Sequence, residues 1–175
     1  SYSIRVNDAF GCSVTQQASI TQPPTALNAT ATINPVKCYS GSDGTIAVNA
    51  VGGTPGYTYA INTNPFNYSS VFVFNNMSAG IYSVTIRDAN QCSFVLPIQV
   101  TQPLLPLSSQ IINQVPLKCH NDTNACVTVA AIVNSGTPPY QYIYATDTTT
   151  SGLLCNLRAG DYNVRVRDAN GCVYV

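Results

Sequence analysis

The sequence predicts an all-β chain built from tandem β-sandwich repeats. Three observations support this prediction. Whole segments recur at a constant spacing, apolar and polar residues alternate along short runs, and turn-forming residues separate those runs. No stretch of the 175 residues has the sustained periodicity of an amphipathic helix.

The recurring segments are residues 2–12, 82–92 and 162–172, which lie 80 residues apart. Each begins with Tyr, continues with alternating residues and ends in Asp-Ala-x-x-Cys. A Thr-Gln-Pro triplet occupies residues 21–23 and again residues 101–103. Several ordered matches in one register indicate an internal repeat with a period of 80 residues.

The repeat sets the predicted domain boundaries. Residues 1–23 are expected to be the C-terminal part of a first repeat, and residues 24–103 a complete β-sandwich repeat. Residues 104–175 are expected to be a repeat that lacks its last strand. Because both ends fall inside a repeat, we expect the parent protein to continue in both directions.

About seven short strand-like runs per unit are typical of an immunoglobulin-like sandwich. The chain opens on such a run at residues 1–6, and every second residue is apolar in residues 46–50 and 82–86. Residues 94–100 form the last run of the complete unit, and the Gly-Gly-Thr-Pro-Gly stretch at 52–56 is a strand breaker.

One tyrosine in each sandwich is expected to join its two sheets. Tyr82 and Tyr162 both follow Ala-Gly and one further residue, at the entry to the sixth strand of the unit. This pattern predicts a tyrosine corner, in which the phenol bonds a backbone group a few residues upstream.

The charge composition excludes several classes of partner. The chain has 7 Lys+Arg against 7 Asp+Glu, and only 8% of its residues are charged. A net charge of zero argues against nucleic acid and anionic membrane surfaces, because both attract a basic field. The sequence also lacks an apolar run of about 18 residues, so we expect no membrane span in this segment.

Five of the seven cysteines occupy repeated positions: Cys38 is equivalent to Cys119, and Cys12, Cys92 and Cys172 are equivalent to one another. Pairing within each repeat is favoured, which gives Cys38–Cys92 and Cys119–Cys172. Pairing of Cys38 with Cys172 across a repeat junction is the alternative. Cys12 is equivalent to Cys92 and is expected to be unpaired by truncation.

The other two cysteines occur only in the last unit, where Cys126 opens the second strand and Cys155 closes the fifth. These strands are antiparallel neighbours in a sandwich, so we expect a Cys126–Cys155 disulfide. The sequence has no CxxC spacing for zinc, and disulfides predict a location outside the cytosol.

The ordered blocks Gly-Thr-Pro-x-Tyr-x-Tyr, Ala-Gly-x-Tyr, Asp-Ala-Asn-Gly-Cys and Thr-Gln-Pro resemble the SprB-type repeat over the whole chain. The resemblance implies a large surface adhesin of the kind found in gliding bacteria, or a related secreted repeat protein. It also implies an adhesive or structural role without a catalytic centre, and a cell-surface or extracellular location.

We expect no catalytic residue, no metal site and no cofactor. His120 is the only histidine, and its counterpart in the middle unit is Tyr39. Asp8, Asp88 and Asp168 recur after the sixth strand, but one Asp per unit is more typical of an Asx turn than of a calcium site.

Two further groups of residues are candidates for contact with glycans. Four Asn residues begin an Asn-x-Ser/Thr acceptor sequence and are possible glycosylation sites: Asn28, Asn67, Asn76 and Asn121. Four Tyr residues at alternate strand positions are expected to pack in the core or at a domain junction rather than contact a ligand: Tyr57, Tyr59, Tyr140 and Tyr142.

These features predict a non-enzymatic structural segment of a long extracellular repeat protein, acting as a disulfide-stapled stalk or filament building block. Its expected partners are neighbouring repeats of the same chain, with self-assembly into fibres as a further possibility. The alternative hypothesis is a glycan- or protein-binding adhesion module that uses loops and exposed Tyr at the sandwich ends.

Overall fold

The structure, a computed structural model, describes residues 1–62, 67–145 and 147–175. The described residues form fifteen strands and no helix, which confirms the all-β prediction. In chain order the strands are β1 (Tyr2–Asn7), β2 (Ser13–Ala18), β3 (Asn28–Asn34), β4 (Gly44–Val51), β5 (Thr58–Ile61), β6 (Val73–Met77), β7 (Gly80–Arg87), β8 (Ser93–Val100), β9 (Ser109–Val115), β10 (Ala125–Ala131), β11 (Gln141–Tyr144), β12 (Asp147–Thr149), β13 (Leu153–Leu157), β14 (Arg165–Arg167) and β15 (Val173–Tyr174).

The strands between β3 and β8 form two antiparallel sheets, ordered β3-β4-β6 and β5-β7-β8. Their inner faces share one hydrophobic core, because alternate residues of each strand point to the same face. The buried members of this core are Ala29, Val36, Ile46, Val48, Tyr59, Val84, Ile86, Ile98 and Val100.

The strands from β9 to β15 repeat this strand order, as β9-β10-β13 and β11-β14-β15, with β12 added beside β11. Among the described residues their core is smaller, with a cluster of three buried members, Val129, Tyr142 and Val166. Strands β1 and β2 form a separate two-stranded hairpin whose side chains are largely exposed.

We call the strands from β3 to β8 the first half of the chain and those from β9 to β15 the second half. The two halves contain the same irregularity in strand pairing. In the first half the register shifts between the Gly44–Met77 and Ile46–Phe74 pairs, and in the second half between Ala125–Leu157 and Val127–Leu154. One strand therefore carries a bulge at the same place in both halves, and Thr45 is the counterpart of Cys126.

The β3–β4 loop and the β7–β8 turn lie at opposite ends of the first half. The β3–β4 loop lies where β8 finishes, since the Val36 N–H donates to the Thr101 carbonyl at 2.8 Å. The β7–β8 turn lies at the other end of β7, where the Thr54 N–H donates to Asp88 Oδ2 at 2.9 Å. Eight residues of β7 separate these ends by about 23 Å, at ~3.3 Å per residue.

The described residues contain no helix long and apolar enough to cross a membrane.

Candidate functional site

The described residues contain two disulfide bonds, and one of them joins the two halves of the chain. Cys38, in the β3–β4 loop, is bonded to Cys172, in the β14–β15 turn, across 134 residues of sequence. The second bond joins Cys126 on β10 to Cys155 on the neighbouring strand β13. The structure thus contains the Cys126–Cys155 bond that the sequence predicts.

The favoured pairing of the repeated cysteines was wrong. Cys38 is not bonded to Cys92, and Cys119 is not bonded to Cys172, because Cys38 is bonded to Cys172 instead. The reason is the length of the sandwich. Cys38 and Cys92 lie at opposite ends of β7, about 23 Å apart (~3.3 Å per residue), whereas bonded cysteines have Cα atoms about 4.4–6.8 Å apart.

Hydrogen bonds surround the Cys38–Cys172 bond. The Asn170 Nδ2 donates to the Lys37 carbonyl at 3.2 Å, across the same contact as the disulfide. The Ser40 N–H donates to Gln102 Oε1 at 2.9 Å, which ties the β3–β4 loop to the Thr-Gln-Pro connector. We call the Cys38–Cys172 bond and these two contacts the junction.

Sequence reasoning missed the roles of Asn170 and Gln102 in the junction. The signal was present, because both residues lie in segments that recur, but the Thr-Gln-Pro triplet was used only as evidence of the repeat. A glutamine that recurs in a short connector can bind a loop of the unit that ends at that connector.

Asp168 shapes the turn that carries Cys172. Its Oδ1 accepts the Cys172 N–H at 2.8 Å, and its Oδ2 accepts the Thr137 N–H at 2.9 Å. The equivalent Asp88 accepts the N–H groups of Asn90, Cys92 and Thr54 at 2.8–2.9 Å. Each carboxylate therefore organises a turn, and no group of three metal-binding side chains is found among the described residues.

The Gly-Thr-Pro motif supports the same turn from the opposite loop. Gly53 has a φ of 61°, and a Cβ added there would lie 2.7 Å from Asp88 Oδ2. Gly136 has a φ of 65°, and its added Cβ would lie 3.0 Å from Asp168 Oδ2. Glycine therefore serves two needs, a left-handed backbone and the close approach of a carboxylate.

We expect Asp88 to make the stability of the chain depend on acid pH. Hydrogen bonds from backbone N–H groups, Thr54 first, hold the pKa of Asp88 below its ordinary value of 3.8 despite burial. A depressed folded pKa stabilises the fold above pH 3.8, and this contribution is lost as the pH falls through the folded pKa.

Urea unfolding at several pH values would measure this effect. Asp88→Asn should destabilise the chain at pH 7. The difference in free energy of unfolding between this variant and the natural chain should become smaller below pH 3.8. Asp161→Asn, which removes a charge from an exposed position, is the matched control and should change little. A gap between Asp88→Asn and the natural chain that stays constant down to pH 2 would contradict the role given to this carboxylate.

The predicted tyrosine corners are confirmed. The Tyr82 hydroxyl donates to the Ser78 carbonyl at 2.9 Å, and the Tyr162 hydroxyl to the Arg158 carbonyl at 2.9 Å. Both bonds reach four residues back along the chain, which fastens the connection between the two sheets.

The alternating tyrosines of β5 and β11 take part in packing. Tyr59 and Tyr142 are buried, with 7% and 6% of their surface exposed. Tyr57 and Tyr140 are partly buried, and their hydroxyls donate to the carbonyls of Gly52 at 2.7 Å and Ser135 at 2.8 Å. Packing explains all four, as predicted.

The remaining candidate residues lie on the surface. His120 is exposed in the β9–β10 loop, next to Asn121 and Asp122. The four Asn residues of the possible glycosylation sites are all exposed: Asn28, Asn67, Asn76 and Asn121. Attachment of sugar to them stays a prediction.

Residues 30–66, which include the Cys38 loop, match the SprB repeat. The chain carries an SprB repeat. The match confirms the resemblance within residues 30–66, which supply one half of the junction. No curated protein sequence matches the chain.

Proposed function

We propose that the chain is a structural segment of a long extracellular repeat protein, in which immunoglobulin-like sandwiches with a period of 80 residues form a disulfide-stapled stalk or filament. The observation that supports this most is the Cys38–Cys172 bond. It ties the end of the first half where β3 finishes to a turn at one end of the second half. Such an end-to-end link holds successive units in line.

The other features of the chain support a spacer more than a binding module. Strand order is the same in the two halves, as expected if one sandwich is repeated. The tyrosines that would offer a stacking surface for glycans, such as Tyr59 and Tyr142, are used for packing. SprB repeats and disulfide bonds are both consistent with a surface-exposed protein. We propose no catalytic role for the chain.

Self-assembly into fibres belongs to the same hypothesis, because a chain with a net charge of zero lacks the electrostatic self-repulsion that keeps copies apart.

Small-angle X-ray scattering tests the stalk. A compact globule of 175 residues has a radius of gyration of about 16 Å, whereas units held in line should give a clearly larger value. Electron microscopy of longer native material should then show beaded rods or ordered fibres. A radius near the compact value, with isolated round particles, would reject the stalk.

A further inference from the structure

Three cysteines of the described residues have no disulfide partner: Cys12, Cys92 and Cys119. All three are exposed, whereas the bonded Cys38 and Cys172 are half-buried by their contact with each other's loops. An exposed free thiol is unusual in a chain that otherwise uses its cysteines for structural bonds.

The turn that carries Cys92 has the same backbone geometry as the turn that carries Cys172. The Asp88 N–H donates to the Cys92 carbonyl at 3.0 Å, as the Asp168 N–H does to the Cys172 carbonyl at 3.0 Å. The Cys12 turn repeats this bond from Asp8 at 2.9 Å. All three turns therefore present their cysteine in the same way, although only Cys172 is bonded.

The loop that carries Cys119 has the geometry of the Cys38 loop. The N–H three residues after the cysteine donates to the cysteine carbonyl in both, from Gly41 at 3.0 Å and from Asp122 at 3.3 Å. The residue before that donor has a positive φ in both, 59° at Ser40 and 66° at Asn121. Cys119 is thus presented as Cys38 is.

A groove beside Cys92 includes the counterpart of one residue that holds the Cys38 loop in the junction. It has a volume of about 430 Å³, and its walls include Gln22, Leu27 and Cys92. Gln22 is the counterpart of Gln102, which accepts the Ser40 N–H. Asn90 is the counterpart of Asn170, which donates to Lys37, so both polar contacts of the junction have counterparts at Cys92.

We propose that Cys12, Cys92 and Cys119 are half-junctions, each of which bonds the complementary half of an adjacent SprB repeat. Cys12 and Cys92 take a Lys-Cys loop from the repeat before, and Cys119 takes an Asp-Ala-Asn-x-Cys turn from the repeat after. Repeats in tandem are then joined by one disulfide per junction. This rests on the proposed stalk and names the chemistry that connects its units.

The bond forms by thiol–disulfide exchange with a small disulfide such as oxidised glutathione. The Cys92 thiolate attacks one glutathione sulfur and releases the other as a thiolate. The Lys-Cys loop thiolate then attacks the Cys92 sulfur and releases the second glutathione. The two protein thiols are oxidised to one disulfide, and their two protons pass to the two glutathione molecules.

A duplication of the complete repeat tests the proposal. A second copy of residues 24–103 is inserted directly after Pro103, which recreates the Thr-Gln-Pro-Pro-Thr connector found at residues 21–25. Tyr39→Phe in the first copy marks its Cys38 tryptic peptide. The Cys92 peptides differ in mass already, because different residues follow Pro103 in each copy. The protein is refolded in a glutathione redox buffer, alkylated and mapped by mass spectrometry.

Cys38 of the first copy should bond Cys92 of the second, and Cys38 of the second copy should bond Cys172. The number of alkylated cysteines should then equal the three of the natural chain. Two additional alkylated cysteines, or a bond between Cys38 and Cys92 of one copy, would overturn the proposal. Either result together with an extended scattering envelope would reject the proposed pairing of half-junctions and leave the stalk standing.

A second measurement uses the natural chain. A synthetic peptide of residues 34–44, which carries the Cys38 loop, is offered with oxidised glutathione. It should form a mixed disulfide faster with Cys92 than with Cys119, since Cys119 lies in a loop of the same kind as the peptide. Equal rates at the two thiols would overturn the proposal.

Discussion

Pulling the oxidised chain from its two ends should extend only a small part of it. The force passes along the chain to Cys38, crosses the disulfide to Cys172 and reaches the C-terminal end. The segment between the two cysteines, which are 134 positions apart in sequence, then bears no tension. About 480 Å of contour length therefore stays folded back behind the disulfide, at ~3.6 Å per residue. Single-molecule force spectroscopy with and without a reductant measures this length.

Two variants sharpen the force experiment. Cys38→Ser with Cys172→Ser opens the large loop but leaves the 29-residue separation of Cys126 and Cys155 locked, so about 380 Å should be gained at ~3.6 Å per residue. Cys126→Ser with Cys155→Ser is the control. It should extend no further than the oxidised natural chain, because its opened loop lies inside the locked segment. Full extension of the oxidised natural chain would show that Cys38 and Cys172 are not joined.

Loss of the Cys126–Cys155 bond should destabilise the second half by about 3.5 kcal/mol, since the bond closes a loop of 29 residues in the unfolded chain. We expect this large effect because, among the described residues, the core cluster of this half has three buried members, against nine in the first half. Urea unfolding of Cys126→Ser with Cys155→Ser measures the change. Hydrogen exchange of residues 125–157 assigns it to the second half.

The first half offers a matched positive control for this bond. Thr45 and Asn75 are the counterparts of Cys126 and Cys155, and the strand bulge beside them is the same. Thr45→Cys with Asn75→Cys should therefore form a disulfide and stabilise the first half. A loss below about 1 kcal/mol in the serine variant would mean that strand pairing alone holds β10 to β13.

The glycines and aspartates of the repeated motifs show which contacts the local sequence pattern predicts and which it does not. Asp88 and Asp168 were interpreted as Asx turns; Asp88 accepts the expected N–H of Asn90 at 2.9 Å, and Asp168 accepts the N–H of Cys172 at 2.8 Å. The close approach of Gly53 to the Asp88 carboxylate was not predictable, because it joins two loops that are 35 residues apart in sequence.

Contacts between neighbouring strands of one sheet could be predicted from the amino-acid sequence. Alternation placed Ile46, Val84 and Ile86 in the core, and the antiparallel pairing of β10 with β13 brought Cys126 to Cys155. The physical reason is that strand geometry has a period of two, so sequence position decides both the face and the register.

The partner of Cys38 depended on the packing of whole units. Equivalent positions in a repeat suggested Cys92, but a strand of eight residues separates the two thiols. Only the way in which the second half meets the β3–β4 loop brings Cys172 within bonding distance, with a Cα–Cα separation of 5.7 Å. That contact is long-range, and no periodicity within a single repeat encodes it.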